Sequence, residues 1–241
     1  MTNVDFNGTS LSKLFSVVDV SRPLAEYRDA STKVEGADGE AFDALTIGVR
    51  ECSFSVVACN KSKQGLHAAA RTLAKIVTVR EPSKLMFSDE VDDDGTRLYR
   101  LAVPVGTFDY DEFVKSGRWH LSFRQHDPYL YGKARSVVLK ANQPQAISVG
   151  GNAPETWPTA TATPSGSTYT LGVENGQGIV IKAPFSGQKL TISFKTEKIT
   201  VKPAVQNAEG LQIGSRFFPL AGRMTLIASS ETTLSWRERW L

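Results

Sequence analysis

Cysteine is scarce: the 241 residues hold two, Cys52 and Cys59. A zinc site needs three or four ligands at tight spacing, so this pair alone makes none. The two could bond only if the chain turned back between them. The first residues, Met1 to Asp5, have neither a basic stretch nor an apolar run, so a reducing cytoplasm is the expected place of assembly. Both thiols are therefore expected to be free and buried. Apolar runs are short as well. None approaches the roughly 18 residues of a membrane-spanning helix, so no membrane partner is expected. A basic cluster is also missing. Residues 1–141 carry 19 Lys/Arg and 19 Asp/Glu, residues 142–241 carry 9 and 6, and the second stretch supplies the whole net charge of +3. Nucleic-acid binders gather Lys and Arg against phosphate, and this chain does not.

Chemistry-bearing motifs are equally sparse. The three histidines, His67, His120 and His126, have no metal-ligand spacing among them. His67 is expected on the exposed side of a helix. No Gly-x-Ser-x-Gly elbow occurs to present a nucleophile, and no Gly-x-x-x-x-Gly-Lys loop to cradle phosphate. Asp109, Asp111 and Glu112 offer the carboxylates a glycosidase would need, but they read as a polar loop. Asp92-Asp93-Asp94-Gly95 invites a calcium reading, yet the residue six beyond Gly95 is Leu101, where an EF-hand needs Glu. It reads as a hairpin tip. No catalytic residue, metal site or cofactor is expected, and the chain is not expected to be an enzyme.

What is present is mostly alternation at period two, the mark of strands with one face buried. Phe15–Val20, Thr46–Val56, Lys84–Ser88, Arg97–Val105 and Trp119–Arg124 alternate in this way. Glu26 to Ala41 is polar and rich in Asp and Gly, and reads as a long loop. One segment departs from the rule. Leu66, Ala69, Ala70, Leu73 and Ile76 recur at three-four spacing, which predicts a single amphipathic helix over 66–77. Too short to stand alone, it must dock on a sheet. From Asn142 to Thr170 the chain turns rich in Pro, Thr, Ala, Gly and Ser, compatible with a linker, although Ala146–Val149 is strand-like. Short strands separated by turns follow to the end, as in a sandwich or jelly roll. The expected fold is mainly β, in two domains: a sheet or sandwich domain with one α-helix over 1–140, and an all-β domain over 141–241. The closing Trp236 and Trp240 fall on one strand face. They are read as sealing that sandwich, with saccharide stacking as the functional alternative.

Several phrases, in order, resemble the distal tail proteins of long-tailed phages. These are Phe15-Ser16-Val17-Val18-Asp19-Val20-Ser21-Arg22-Pro23-Leu24, then Lys84-Leu85-Met86-Phe87-Ser88-Asp89 with Arg97-Leu98-Tyr99, and Gly117-Arg118-Trp119-His120-Leu121-Ser122-Phe123. Asp127-Pro128-Tyr129-Leu130-Tyr131-Gly132 and the ending Trp236 to Leu241 complete the set. Arg22, Pro23, Asp127 and Pro128 are expected to shape turns. The resemblance implies a structural virion component at the tail tip, assembled in the bacterial cytoplasm as a homo-hexameric baseplate hub ring. Its implied partners are the tail tube protein, the tail-associated hub protein and, in some members, a receptor-binding protein, with DNA only passing through the bore. It also implies a galectin-like or jelly-roll C-terminal domain. The alternative function is a lectin-like module binding host cell-wall saccharide.

Overall fold

The computed structural model describes residues 2–36, 38–174, 176–182, 187–201 and 210–241. The protein is mainly β, and its contacts divide it into two compact units, Met1–Tyr131 with Leu241, and Gly132–Trp240.

The first unit holds β1 (Val4–Phe6), β2 (Thr9–Ser10), β3 (Phe15–Ser21), β4 (Tyr27–Lys33), β5 (Glu40–Ile47), β6 (Arg50–Ala58), α1 (Lys63–Val77), β7 (Ser83–Phe87), β8 (Arg100–Val105), α2 (Tyr110–Ser116) and β9 (Arg118–Gln125). Seven of the strands form one sheet in the order β2-β1-β7-β8-β9-β6-β3. Alternation places Phe54 of β6 and Leu121 and Phe123 of β9 in the core. Phe54 and Phe123 stack with ring centres 5.5 Å apart, and Phe6 meets Phe123 edge-on at 4.9 Å. Helix α1 adds Ala70, Leu73 and Ile76 to the same core. It begins at Lys63, earlier than its apolar stripe, because the Ser62 side chain caps it by accepting from the Gly65 N–H at 3.1 Å.

A second helix corrects the one-helix expectation. The Asp109 carboxylate accepts from the Glu112 N–H at 3.0 Å and starts α2, Phe113 anchors it, and Gly117 ends it at φ 67°. Asp111 and Glu112 thus lie in the first turn of a helix, where carboxylates suit its positive end. The Asp-Gly tip is a turn, as read: Asp92 Oδ1 accepts from the N–H groups of Asp94 and Thr96 at 3.0 and 2.7 Å.

The second unit continues β10 (Leu130–Leu139) into β11 (Gln145–Ser148), β12 (Thr159–Ala162), β13 (Thr168–Val173), β14 (Gly178–Lys182), β15 (Leu190–Ser193), β16 (Lys198–Val201), β17 (Arg223–Ala228) and β18 (Thr232–Trp240). Two antiparallel sheets, β10-β18-β12-β15-β16 and β11-β17-β13-β14, share one core. Leu190, Ile192 and Leu234 come from one sheet; Tyr169, Leu171 and Leu226 come from the other. The Tyr169 hydroxyl meets Thr232 Oγ1 across the sandwich at 2.8 Å. The stretch that read as a linker contributes β11 and β12, so it is part of the sandwich. No described helix is long and apolar enough to cross a membrane.

Candidate assembly surface

Three of the exposed large apolar side chains of the first unit, Tyr27, Phe42 and Leu45, stand on an element much of which looked like a loop. Strands β4 and β5 pair only with each other, as a two-stranded ribbon between β3 and β6. Nearly every residue of it is exposed. Its register shifts by one residue beyond the Ala30–Ala44 pair, so that Ser31 faces Phe42. Side chains alternate between faces along a strand. Without the extra residue, Phe42 would fall on the face opposite Leu45 and Ile47. The bulge at Asp43 turns Phe42 onto their face, together with Tyr27 across the ladder. Phe42, Leu45 and Tyr27 are 68%, 56% and 57% exposed, and Leu24 just before the ribbon is 72% exposed. The other face carries small and polar residues, Ala30, Ala41, Ala44, Thr32 and Thr46. Asp43, on that face, accepts from the Thr32 hydroxyl at 2.5 Å.

Near the ribbon's base lies a cluster of cations that alternation did not disclose. Arg100 on β8 is wholly buried and Arg50 on β6 nearly so. Arg100 ion-pairs with Glu90 and lies over the Phe87 ring, 5.0 Å from its centre. Its Nε and Nη1 and the Gln125 Oε1 meet no partner among the described residues. Arg50 donates from Nε to the Pro23 carbonyl at 2.8 Å. Burial lowers its pKa, and neighbouring Arg100 adds to that. Cys52, between them in sequence and in effect, has its thiol pKa pushed up by burial against the pull of Arg100. Both cysteines are free, but Cys59 is exposed, contrary to expectation, because it lies just past the end of β6.

The turn residues singled out in the sequence fall around this cluster. Arg22 grips the Asp89 carboxylate with two hydrogen bonds, 3.0 and 2.7 Å, reaches Glu90 at 3.3 Å, and covers Phe87 at 4.8 Å. That bond raises the Arg22 pKa and holds Asp89 below its ordinary value. Asp127 accepts from the Tyr129 N–H at 3.2 Å and from the Tyr131 hydroxyl at 2.5 Å, closing the turn that contains Pro128. Tyr131 stacks on Tyr99, ring centres 5.4 Å apart.

Other sequence candidates are structural in their contacts. His67 is half-buried and its Nδ1 meets the Tyr110 hydroxyl at 2.9 Å, linking α1 to α2, so it does not lie on an exposed face. His120 Nδ1 faces Ser55 Oγ at 3.4 Å, and His126 is exposed. Among the described residues no three His, Cys, Asp or Glu side chains converge on a metal position. Trp236 is only 8% exposed and belongs to the core of the second unit, and Trp240 is half-buried. The buried arginines and the bulge-made stripe were missed. An Arg at an inward position of an alternating strand, and a Phe one residue out of phase with Leu45, were the available signals.

Together these features describe a β-rich protein whose first unit carries an exposed two-stranded ribbon. Domain family models assign it further: residues 6–124 match the phage tail protein RIFT-related domain, and residues 150–240 match the siphovirus-type tail component, C-terminal domain. The chain belongs to the siphovirus-type distal tail, or baseplate hub, protein family. Its fold is similar to the crystal structure of SPP1 Dit (gp 19.1), described as a paradigm of the hub adsorption apparatus in phages infecting Gram-positive hosts. The TM-score is 0.80 at 17% identity over the whole of both chains. A chain of the phage P2 baseplate in its activated conformation with Ca has a TM-score of 0.53 at 9% identity, covering 99% of this chain and 98% of that one. The corresponding baseplate structure with Sr gives 0.52 at 9%, covering 98% and 97%. No curated protein sequence matches the chain.

Proposed function

We propose that this protein forms a homo-hexameric hub ring at the distal end of a long non-contractile tail, joining the tail tube to the tail-associated hub protein and baseplate. The β4–β5 ribbon carries this reading. An isolated two-stranded ribbon is marginal in water, and this one exposes Tyr27, Phe42 and Leu45 on a single face. Burial against a second copy removes that face from water. A projecting ribbon that seats on a different part of its neighbour makes a head-to-tail contact, which closes into a ring when the rotation allows. The charge balance of residues 1–141 also suits a bore through which DNA passes without being held. The family's structural role accounts for the chain without a reaction, and the second unit is read as the outward-facing galectin-like domain that meets other tail proteins.

Native mass spectrometry of the purified chain tests this. Six copies are expected, with Phe42→Asp and Leu45→Asp together shifting the distribution to monomer while circular dichroism stays unchanged. A wild-type chain that stays monomeric at high concentration, or that stops at a two-fold dimer, overturns the ring.

A further inference from the structure

The even charge balance of residues 1–141 is the sum of two opposite surfaces. Residues 52–80 hold five Lys/Arg and no Asp/Glu, whereas residues 26–47 hold six Asp/Glu and two Lys/Arg. The first stretch contains α1. Its buried side is Ala70, Leu73 and Ile76, and its exposed side runs through Gln64, Ala68, Arg71 and Lys75 at four-three-four spacing, a single stripe of the helix. Lys61, Lys63 and Arg80 stand exposed at its two ends. Among the described residues none of these five cations has an ion-pair partner. The second stretch is the β4–β5 ribbon. Residues opposite each other in its ladder share a face, so Asp29 stands with Leu45, and Glu40 lies on the same side, beside Phe42 and Tyr27. Lys33, opposite Glu40, is the one cation of that side. Glu35 and Asp38 are exposed near the tip.

We propose that the outer face of α1 is the seat on which a second copy of this chain lays the apolar, acid-edged side of its ribbon. The assignment rests on the hub-ring reading and names the surface that receives the ribbon. Opposite charge on the two faces selects the match and its orientation. Their lengths agree: the seven residues of β4 span about 23 Å, and the fifteen of α1 span about 22 Å. Their places in the chain also fit. Strand β5 leads into the start of β6 at Arg50, and α1 follows its other end at Ala58. Giver and receiver are thus different patches of one chain, which a head-to-tail contact requires. The Ala68 methyl and the aliphatic stems of Arg71 and Lys75 offer Phe42 and Leu45 an apolar floor, while the charged ends of those stems reach Asp29 and Glu40. Nucleic acid fits less well. Phosphate would pair with the cations but would leave Tyr27, Phe42 and Leu45 in water.

Charge reversal and its repair test this, with the full chain in native mass spectrometry. Arg71→Glu with Lys75→Glu is expected to cut the fraction of rings about tenfold, and Asp29→Lys with Glu40→Lys to do the same, because each sets like charges against each other. All four changes in one chain should restore the rings. These side chains are exposed, so circular dichroism and the unfolding midpoint should hold steady throughout. A second arm locates the contact. In a Cys59→Ser background, which removes the exposed thiol, Ser31→Cys on the apolar side of the ribbon and Ala68→Cys on the helix are joined by a short bismaleimide. Chains carrying both cysteines should give a covalent ladder of copies on a denaturing gel, and chains carrying one should not. Rings that withstand both reversals, rings that the four changes do not restore, or rings that give no ladder overturn this seat and leave the hub reading intact. A wild-type chain that forms no ring overturns the hub-ring reading, and the seat with it.

Discussion

The two units bury polarity in different ways. The core of the second is mostly apolar: its fully buried polar contact is the neutral pair of Tyr169 and Thr232, and its one buried charge among the described residues, Glu238, pairs with the partly exposed Arg135. The first packs Phe6, Phe54, Phe87 and Phe123 beside two buried guanidiniums, those of Arg50 and Arg100, and the amide of Gln125. Desolvating a guanidinium costs free energy that a single carboxylate partner offsets only in part. An apolar substitute would pack as well. The cations are therefore better explained by position than by stability: they tie the end of β3, the start of β6 and the turn after β7 into one arrangement at the base of the ribbon. Seating on a neighbour, as proposed for the ribbon, needs its base held in one orientation. A sandwich whose core is simply filled has no such need.

The sharpest break in this comparison is a cavity in the aromatic core. Phe123 is wholly buried between Phe6 and Phe54. Phe123→Ala is expected to cost about 4 kcal/mol through lost transfer and the cavity left behind. Hydrogen exchange should then speed up over residues 2–131 and hold steady over 132–240. Equal acceleration in both stretches would show that they do not hold their stability separately.

The arginine cluster comes next. Arg100→Ala leaves Glu90 without its buried partner and should cost about 3 kcal/mol. Arg100→Met, which refills the volume over Phe87, should recover most of that loss in urea unfolding. If the cluster fixes the ribbon's base, Arg100→Met will still lower the fraction of assembled rings in native mass spectrometry. Rings formed as well by Arg100→Met as by the wild type would reduce the cluster to packing.

The neutral pair of the second unit gives the opposite signature, at alkaline pH. Burial pushes the Tyr169 hydroxyl up from its ordinary value of 10.0 to about 12. The folded form therefore keeps its proton after the unfolded chain has lost it. The stability this contributes is complete below about pH 10 and drains away as pH climbs from 10 towards 12, by about 2 kcal/mol in all. Tyr169→Phe should flatten that alkaline limb, at a loss of about 1 kcal/mol near neutrality from the missing bond to Thr232. Unfolding midpoints of the two proteins at pH 7, 10 and 11.5 separate these effects.

Much of this architecture was legible in the chain, and the gaps have specific causes. The strands that face a core, such as β6 and β9, announce themselves because burial imposes period two. Helix α1 was visible for the same reason at period 3.6, while its start was set by Ser62, a cap outside the stripe. Helix α2 has seven residues and one buried anchor, too little for a periodic signal, although Asp109 and Gly117 mark its two ends. Strand β4 was hidden because both faces of the ribbon are exposed in the single chain, and no core edits its sequence. The bulge that turns Phe42 is a register property, which depends on two strands at once. Arg100 looked like any charged residue in Arg97-Leu98-Tyr99-Arg100. Its burial follows from Glu90 and Phe87, which the sequence does not place beside it.

The smallest effect belongs to the exposed edge of the same cluster. Arg22 and Asp89 are bonded at both ends of the carboxylate, yet their side chains remain 23% and 45% exposed, so solvent screens most of what they gain. Asp89 is held below its ordinary value by Arg22. A depressed carboxylate adds stability that is present above its ordinary, unfolded pKa and is lost as pH falls through the lower folded one. Asp89→Asn should therefore cost only about 0.5 kcal/mol at pH 7, and the difference from wild type should vanish in acid. If it does not vanish, the contact matters through shape: Arg22 would be holding the end of β3 against Phe87 by its cation–π contact. Arg22→Lys would then be as harmful in acid as at neutrality, because an ammonium cannot reproduce the planar, two-pronged grip. Persistence of that loss at low salt and high salt alike would place Arg22 with the buried arginines that anchor the ribbon, and disappearance in salt would leave it an ordinary surface pair.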